Sequence, residues 1–259
     1  MLAPSCASTL QPMAPNPFPE PAGAILVGAR GGLGAALVEA LLAQGAFETV
    51  LALSRSGEGA VAPGLVHGTI DLTDEASVAA AAAAARPLTA PRLVIVASGL
   101  LHDAQGLRPE KTIAAIDPAR LARLFAVNAT GPALVAKHFL PLMPRQGRVV
   151  FAAVSARVGS ITDNRLGGWY GYRASKAALN MLLRTIAIEW TRSAPDSVCV
   201  GLHPGTVDTP LSRPFQGGVA EGRLFTPARS AGHLLAVIGQ LTPGDTGGVF
   251  AWDGAPIPP

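Results

Sequence analysis

The chain has 259 residues, of which 49% are hydrophobic and only 14% charged; this excludes a disordered polyelectrolyte and leaves ample apolar surface for one α/β domain of the larger type. The net charge is +3 and the 20 Lys and Arg form no run, which argues against nucleic acid and membrane surfaces as partners. No apolar stretch reaches the roughly 20 residues of a membrane span, and Cys6 and Cys199 stand in such different contexts that a reducing cytoplasm is the expected location.

Residues 1–22 hold six prolines and lack a basic segment followed by an apolar run, so they read as a flexible tail and not a secretory signal, with a single domain over 23–259. Ala24-Ile25-Leu26-Val27 is a short apolar run that stops at Gly28, and Leu33, Leu37 and Leu41 then recur every fourth residue, giving strand, glycine turn and helix. Glycines at 28, 32 and 34 let the backbone approach a pyrophosphate at the helix N-terminus, so Gly28, Arg30, Gly31, Gly32, Leu33 and Gly34 are candidate nucleotide contacts.

The second strand, 49–53, ends in Ser54-Arg55-Ser56 without a carboxylate. An acid there binds the ribose 2′-hydroxyl of NAD, whereas an arginine pairs with the 2′-phosphate of NADP; Ser54 and Arg55, helped by Arg30, predict NADP(H) ahead of NAD(H). A third strand over 66–70 closes on Asp71-Leu72, where Asp71 is a candidate adenine contact and Leu72 its neighbour; alternatively Asp71 or Thr73 caps the alanine-rich helix 75–86. Leu93 to Val96 reads as a strand buried on both faces, after which Ser98 and Gly99 line the cofactor.

Pro118 to Met143 reads as one long helix with a break tolerated near Gly131-Pro132. Asn128 falls on its apolar stripe with Leu121, Leu124 and Phe125, and a buried amide needs partners: a neighbouring backbone group, or a water or lysine at a reaction centre. The fifth strand, 148–154, delivers Ser155 to its carboxyl end, where open α/β sheets place their ligands, and its hydroxyl is a candidate partner for a substrate oxygen. A sixth strand, 198–202, leads into a Pro204-Gly205 turn that can expose the Val207 backbone and the Thr209 hydroxyl to a carboxamide or phosphate. Residues 210–226, punctuated by Gly and Pro, read as a mobile lid, and 247–252 as a final strand. The alternation predicts an α/β, Rossmann-type doubly wound parallel sheet of about seven strands with helices on both faces. No Cys/His/carboxylate cluster has metal-ligand spacing, so no metal is expected.

Tyr172 precedes Lys176 by one helical turn, and Leu179, Leu182, Leu183, Ile186 and Trp190 continue the helix. An ammonium stacked near a phenol favours the phenolate and lowers the tyrosine pKa, which suits a proton donor and acceptor.

Taken together these residues resemble the classical short-chain dehydrogenase/reductase family over 24–254, and Ser155 to Ser160 with Tyr172 to Asn180 resemble its C-factor-like branch. The resemblance implies that Tyr172 is the general acid/base, that Lys176 lowers its pKa and holds the nicotinamide ribose, that Ser155 orients the substrate carbonyl, and that Asn128 keeps a water on the proton path. It implies an NADP-dependent reductase of a small carbonyl compound, or the reverse alcohol oxidation, working as a homodimer or homotetramer. Three positions depart from the pattern: Val27 replaces a threonine, Val96-Ala97-Ser98-Gly99 replaces Asn-Asn-Ala-Gly, and Ala156 follows Ser155 where a second serine is usual. Ser155 lies 17 residues before Tyr172 and Ser160 lies 12 before; strand position favours Ser155. The alternative function is a cofactor-binding signalling protein on the same fold.

Overall fold

The computed structural model describes residues 17–88 and 90–259. Among the described residues nine strands and six α-helices follow in chain order. They are β1 (Gly23–Val27), α1 (Gly32–Gln44), β2 (Thr49–Ser54), β3 (Leu65–Thr69), α2 (Glu75–Ala85), β4 (Pro91–Val96), α3 (Pro118–Phe125) and α4 (Gly131–Phe139). Then come β5 (Val149–Val154), α5 (Tyr170–Trp190), β6 (Ser197–His203), β7 (Thr206–Val207), β8 (Leu224–Phe225), α6 (Pro227–Gln240) and β9 (Val249–Ala251).

Seven strands form one sheet in the order β3-β2-β1-β4-β5-β6-β9, every pair parallel. The central strands are buried on both faces, and successive side chains go to opposite sides: Ile25 and Val27 join one core, Ala24 and Leu26 the other. The first core lies under α2, α4 and α5, and the second under α1 and α6. The strand order reverses beside β1, so the crevice between the carboxyl ends of β1 and β4 is where this architecture binds ligands.

The helical run from 118 is not uniform. Ala126–Thr130 winds as a π-helix between α3 and α4, and residues 140–142 tighten to a 3-10 turn. The irregularity falls just before the Gly131-Pro132 step. Gly131 itself sits where a Cβ would stand 2.7 Å from the Leu72 side chain, so glycine is what lets α4 approach the turn after β3. The cap of α2 is neither Asp71 nor Thr73: Asp74 Oδ1 accepts from the Ala76 N–H at 2.9 Å.

The expected tail over 1–22 lies outside the described residues as far as residue 16, and the part that is described packs. Phe18 and Ala22 are buried in the second core, with Phe18 against the Phe47 ring and beneath the Arg148 guanidinium. The packed chain therefore reaches back past residue 23. No helix among the described residues is long and apolar enough to cross a membrane.

Candidate active site

A cleft of about 860 Å³ runs along the carboxyl ends of β1, β2, β4, β5 and β6. The glycine turn forms its floor. Gly28 has φ +91°, a Cβ there would stand 2.6 Å from Ser98 Oγ, and a Cβ on Gly34 would overlap the Gly28 carbonyl. Only glycine allows that approach. The N-terminus of α1 carries no side-chain cap and no acid in its first turn, leaving its N–H groups free for an anion. Thr209 approaches from the opposite wall: its methyl would stand 2.8 Å from a Cβ on Gly32.

Ser54 and Arg55 stand at the end of β2. Ser54 is buried and accepts from the Gly57 N–H at 3.2 Å, while Arg55 is exposed on the rim. Arg30, also on the rim, reaches the Glu58 carbonyl at 3.4 Å. The Asp71 carboxylate accepts from the Thr73 amide and hydroxyl at 2.9 and 2.7 Å. These bonds, with a smaller contribution from the Arg55 charge, hold it below the usual carboxylate range. Leu72, Ser98, Gly99, Pro204, Gly205 and Val207 line the same cleft.

Tyr172, Lys176 and Ser155 converge at the other end. Tyr172 and Lys176 are both buried on the inner stripe of α5, with the Lys176 ammonium 5.9 Å from the Tyr172 ring centre. The ammonium donates to the Val154 carbonyl at 2.8 Å. Burial pushes Tyr172 up to about 12 and Lys176 down to about 8. The expected lowering of the Tyr172 pKa by Lys176 is thus overturned: desolvation outweighs a cation that is itself desolvated and directed at a carbonyl.

Ser155 lines the cleft and donates to Asn180 Oδ1 at 2.6 Å. Ser160 does not line it; its hydroxyl accepts from the Asp163 N–H at 3.0 Å and donates to the Pro259 carbonyl at 3.3 Å. Asn180 is a site residue that sequence reasoning overlooked. Its signal was available, because 172, 176 and 180 form one i, i+4, i+8 stripe. Turning the Asn180 amide so that its nitrogen faces Ser155 frees the serine proton for a substrate oxygen.

Asn128 is the buried amide expected on the apolar stripe, and its partners are a backbone group and a serine. It is fully buried in the π-helical segment, accepts from the Leu100 N–H at 2.8 Å, and donates to the Leu100 carbonyl at 2.8 Å and to Ser175 Oγ at 3.1 Å. It does not line the cleft. Its side-chain amide thereby clamps the loop after β4 to α5.

One further residue sets the geometry without any motif. Glu110, buried, accepts from the Gly171 N–H through Oε2 at 3.1 Å, and its carbonyl accepts from the Trp169 N–H at 2.5 Å. The residue preceding α5, Trp169, supplies no side-chain cap, so this carboxylate from a distant loop caps the helix that carries Tyr172 and favours its positive end. Glu110→Ala is expected to lower stability by roughly 1–2 kcal/mol, as loss of a cap does, with Glu110→Gln recovering part of it in urea unfolding.

The segment 210–226 has structure of its own. A 3-10 turn spans Arg213–Gly218, β7 pairs with β8, and His102 Nε2 lies 3.1 Å from the Pro210 and Leu211 carbonyls. Among the described residues no group of acids, histidines and cysteines could hold a metal ion.

A parallel, doubly wound sheet with a glycine cradle at one end of its cleft and a buried Tyr-Lys pair at the other defines a dinucleotide-dependent oxidoreductase. The chain belongs to the short-chain dehydrogenase family, whose model matches residues 22–218. It is 39% identical over 145 residues to C-signal of Myxococcus xanthus, covering 55% of this chain and 81% of that protein. It is 36% identical over 139 residues to the 1-hydroxy-2-glutathionyl-2-methyl-3-butene dehydrogenase of Rhodococcus sp. (strain AD45), covering 53% of this chain but 58% of that one, little more than half its length. The crystal structure of NADPH-bound carbonyl reductase from chicken fatty liver superposes with a TM-score of 0.80 at 27% identity, covering 93% of this chain and 96% of that one.

Proposed function

We propose that the protein is an NADP(H)-dependent carbonyl reductase, running alcohol oxidation in reverse, with Tyr172 as proton donor. The observation that carries this reading is that Tyr172, Lys176 and Ser155 meet at one end of a cleft whose other end is the glycine cradle, with Arg55 on its rim. The cradle, which any Cβ at Gly28 or Gly34 would fill, fits a dinucleotide pyrophosphate. The bound nicotinamide supplies the hydride. Gly28 to Gly34 and Thr209 hold the phosphates, Arg55 and Ser54 the 2′-phosphate, Asp71 and Leu72 the adenine side, and Ser98, Gly99, Pro204, Gly205 and Val207 the nicotinamide half. Ser155 orients the substrate oxygen, Tyr172 protonates it, and Lys176 holds the ribose beside Tyr172. Asn180 positions Ser155 from behind, and Asn128, bonded to the hydroxyl of Ser175 next to Lys176, braces that turn of α5. Oxidation of NADPH by a panel of ketones and aldehydes, followed by loss of the reduced nicotinamide absorbance, tests the reading against a Tyr172→Phe control.

Similarity to a protein named C-signal favours a second reading, a cofactor-binding signalling protein on this fold. Such a protein needs the cradle but not the acid, so NADPH binding without turnover of any carbonyl compound selects it.

We also infer a homo-oligomer, a dimer or tetramer. On α5, Met181 and Ile188 are 67% and 48% exposed, and their seven-residue spacing puts them on one outward stripe. Light scattering at micromolar concentration is expected to give a multiple of 26.3 kDa. A particle of that mass alone overturns it.

A further inference from the structure

The substrate end of the cleft is walled in a way that acid/base chemistry does not require. Leu101, Ala156 and Tyr172 form a small buried cluster apart from the two main cores, and Val158, Trp169 and Phe215 pack against it. All six line the cleft. The Trp169 ring centre lies 6.2 Å from that of Tyr172 and 4.9 Å from that of Phe215, edge-on to both.

Trp169 is held there against its backbone preference. With φ 53° and ψ 41° it is the one non-glycine residue at positive φ among those described. An L-residue enters that region only where its surroundings over-determine it. Here the Trp169 N–H donates to the Glu110 carbonyl at 2.5 Å and its own carbonyl accepts from the Arg173 N–H at 2.9 Å. A bulky indole at a strained point beside the proton donor is a costly arrangement unless the ring itself is used.

We propose that the substrate carries a flat apolar group, an aryl ring, directly on its reacting carbonyl, and that Trp169 with Phe215 is the subsite that selects it. The inference rests on the carbonyl-reductase reading. Once Tyr172 fixes the carbonyl oxygen, the substituent on the carbonyl carbon falls within reach of the indole, and a planar ring can meet both aromatic walls edge-to-face. A flexible alkyl chain fills the same space less completely and loses rotamer freedom on binding. Two arginines that line this end already carry acid partners: Arg123 is paired with Asp103, and Arg157 with Asp163 at 2.9 Å. The walls that meet the selected group, Leu101, Val158, Trp169 and Phe215, are themselves apolar.

The test compares acetophenone with butanone at saturating NADPH. Trp169→Gly is the informative variant because glycine takes a φ of 53° without strain, so its losses report the missing ring and not a broken backbone. The wild type is expected to favour acetophenone, and Trp169→Gly to lower the ratio of kcat/KM values, acetophenone over butanone, by about 10-fold, with Trp169→Phe restoring most of it. A ratio unmoved by Trp169→Gly, or a wild type that prefers butanone, overturns the subsite. A second readout needs no turnover: acetophenone added to the protein loaded with the oxidised cofactor NADP, which has no hydride to give, should quench indole emission in the wild type more than in Trp169→Phe. That quenching with neither ketone reduced supports the aryl subsite and sinks the reductase reading; absence of quenching in the wild type overturns the subsite.

Discussion

Tyr172→Phe is expected to lower ketone reduction by about 100-fold or more while NADPH binds within a few-fold of the wild-type affinity. The substitution removes one hydroxyl and keeps the ring, so the edge contact with Trp169 and the packing on Leu101 and Ala156 survive. What is lost is a loaded proton donor. With its pKa pushed up to about 12 by burial, Tyr172 is protonated at neutral pH, the form that reduction of a carbonyl consumes. Alcohol oxidation needs the phenolate instead, so its rate should rise with pH through the range in which reduction is already saturated with acid. Lys176, with a pKa pushed down to about 8, stays mostly cationic at pH 7 and loses charge just above it. Stopped-flow NADPH oxidation, with nicotinamide fluorescence for binding, separates the effects. Ketone reduction by the variant within a few-fold of wild type would remove Tyr172 from the chemistry.

Much of this site was legible because its signals are local. The glycine turn is written in seven consecutive residues, 28–34, and its strand and helix in simple periodicities on either side. Tyr172 and Lys176 are readable for the same reason, since one helical turn fixes their relation whatever the rest of the chain does. The features that escaped depend on partners distant in sequence. Glu110 caps a helix that begins 60 residues later, and nothing around position 110 announces it. Asn128 was readable as a buried stripe residue that needs partners, but which partners it finds, Leu100 and Ser175, no pattern encodes. Trp169 follows two glycines with φ +64° and +65°, a run that marks an unusual turn without saying that the tryptophan shares it. The Tyr172 pKa was misjudged for a physical reason: spacing reports the distance to a charge, whereas desolvation is a property of the folded interior.

Arg55→Ala is expected to weaken NADPH by about 10- to 150-fold and to leave NADH almost unchanged. The factor is that of one charged hydrogen-bond pair, roughly 1.5–3 kcal/mol. Its basis is the end of β2, where an enzyme that prefers NAD places a carboxylate that both bonds the ribose hydroxyls and repels a 2′-phosphate. Here that place is taken by Ser54 and Arg55, and the nearest acid in sequence, Glu58, meets Arg30 through its backbone carbonyl. Arg55 is exposed on the rim and its guanidinium is free to form a two-pronged contact, while its field already reaches Asp71 beyond the end of the neighbouring strand β3. Exposure also sets the salt dependence: a rim charge is screened, so the preference for NADPH should shrink as ionic strength rises, which a buried contact would not do. Titrations of both cofactors into wild type and variant at low and high salt decide the matter. A wild type that prefers NADH, or an Arg55→Ala variant that loses both cofactors equally, would assign the choice of cofactor to some other part of the cleft.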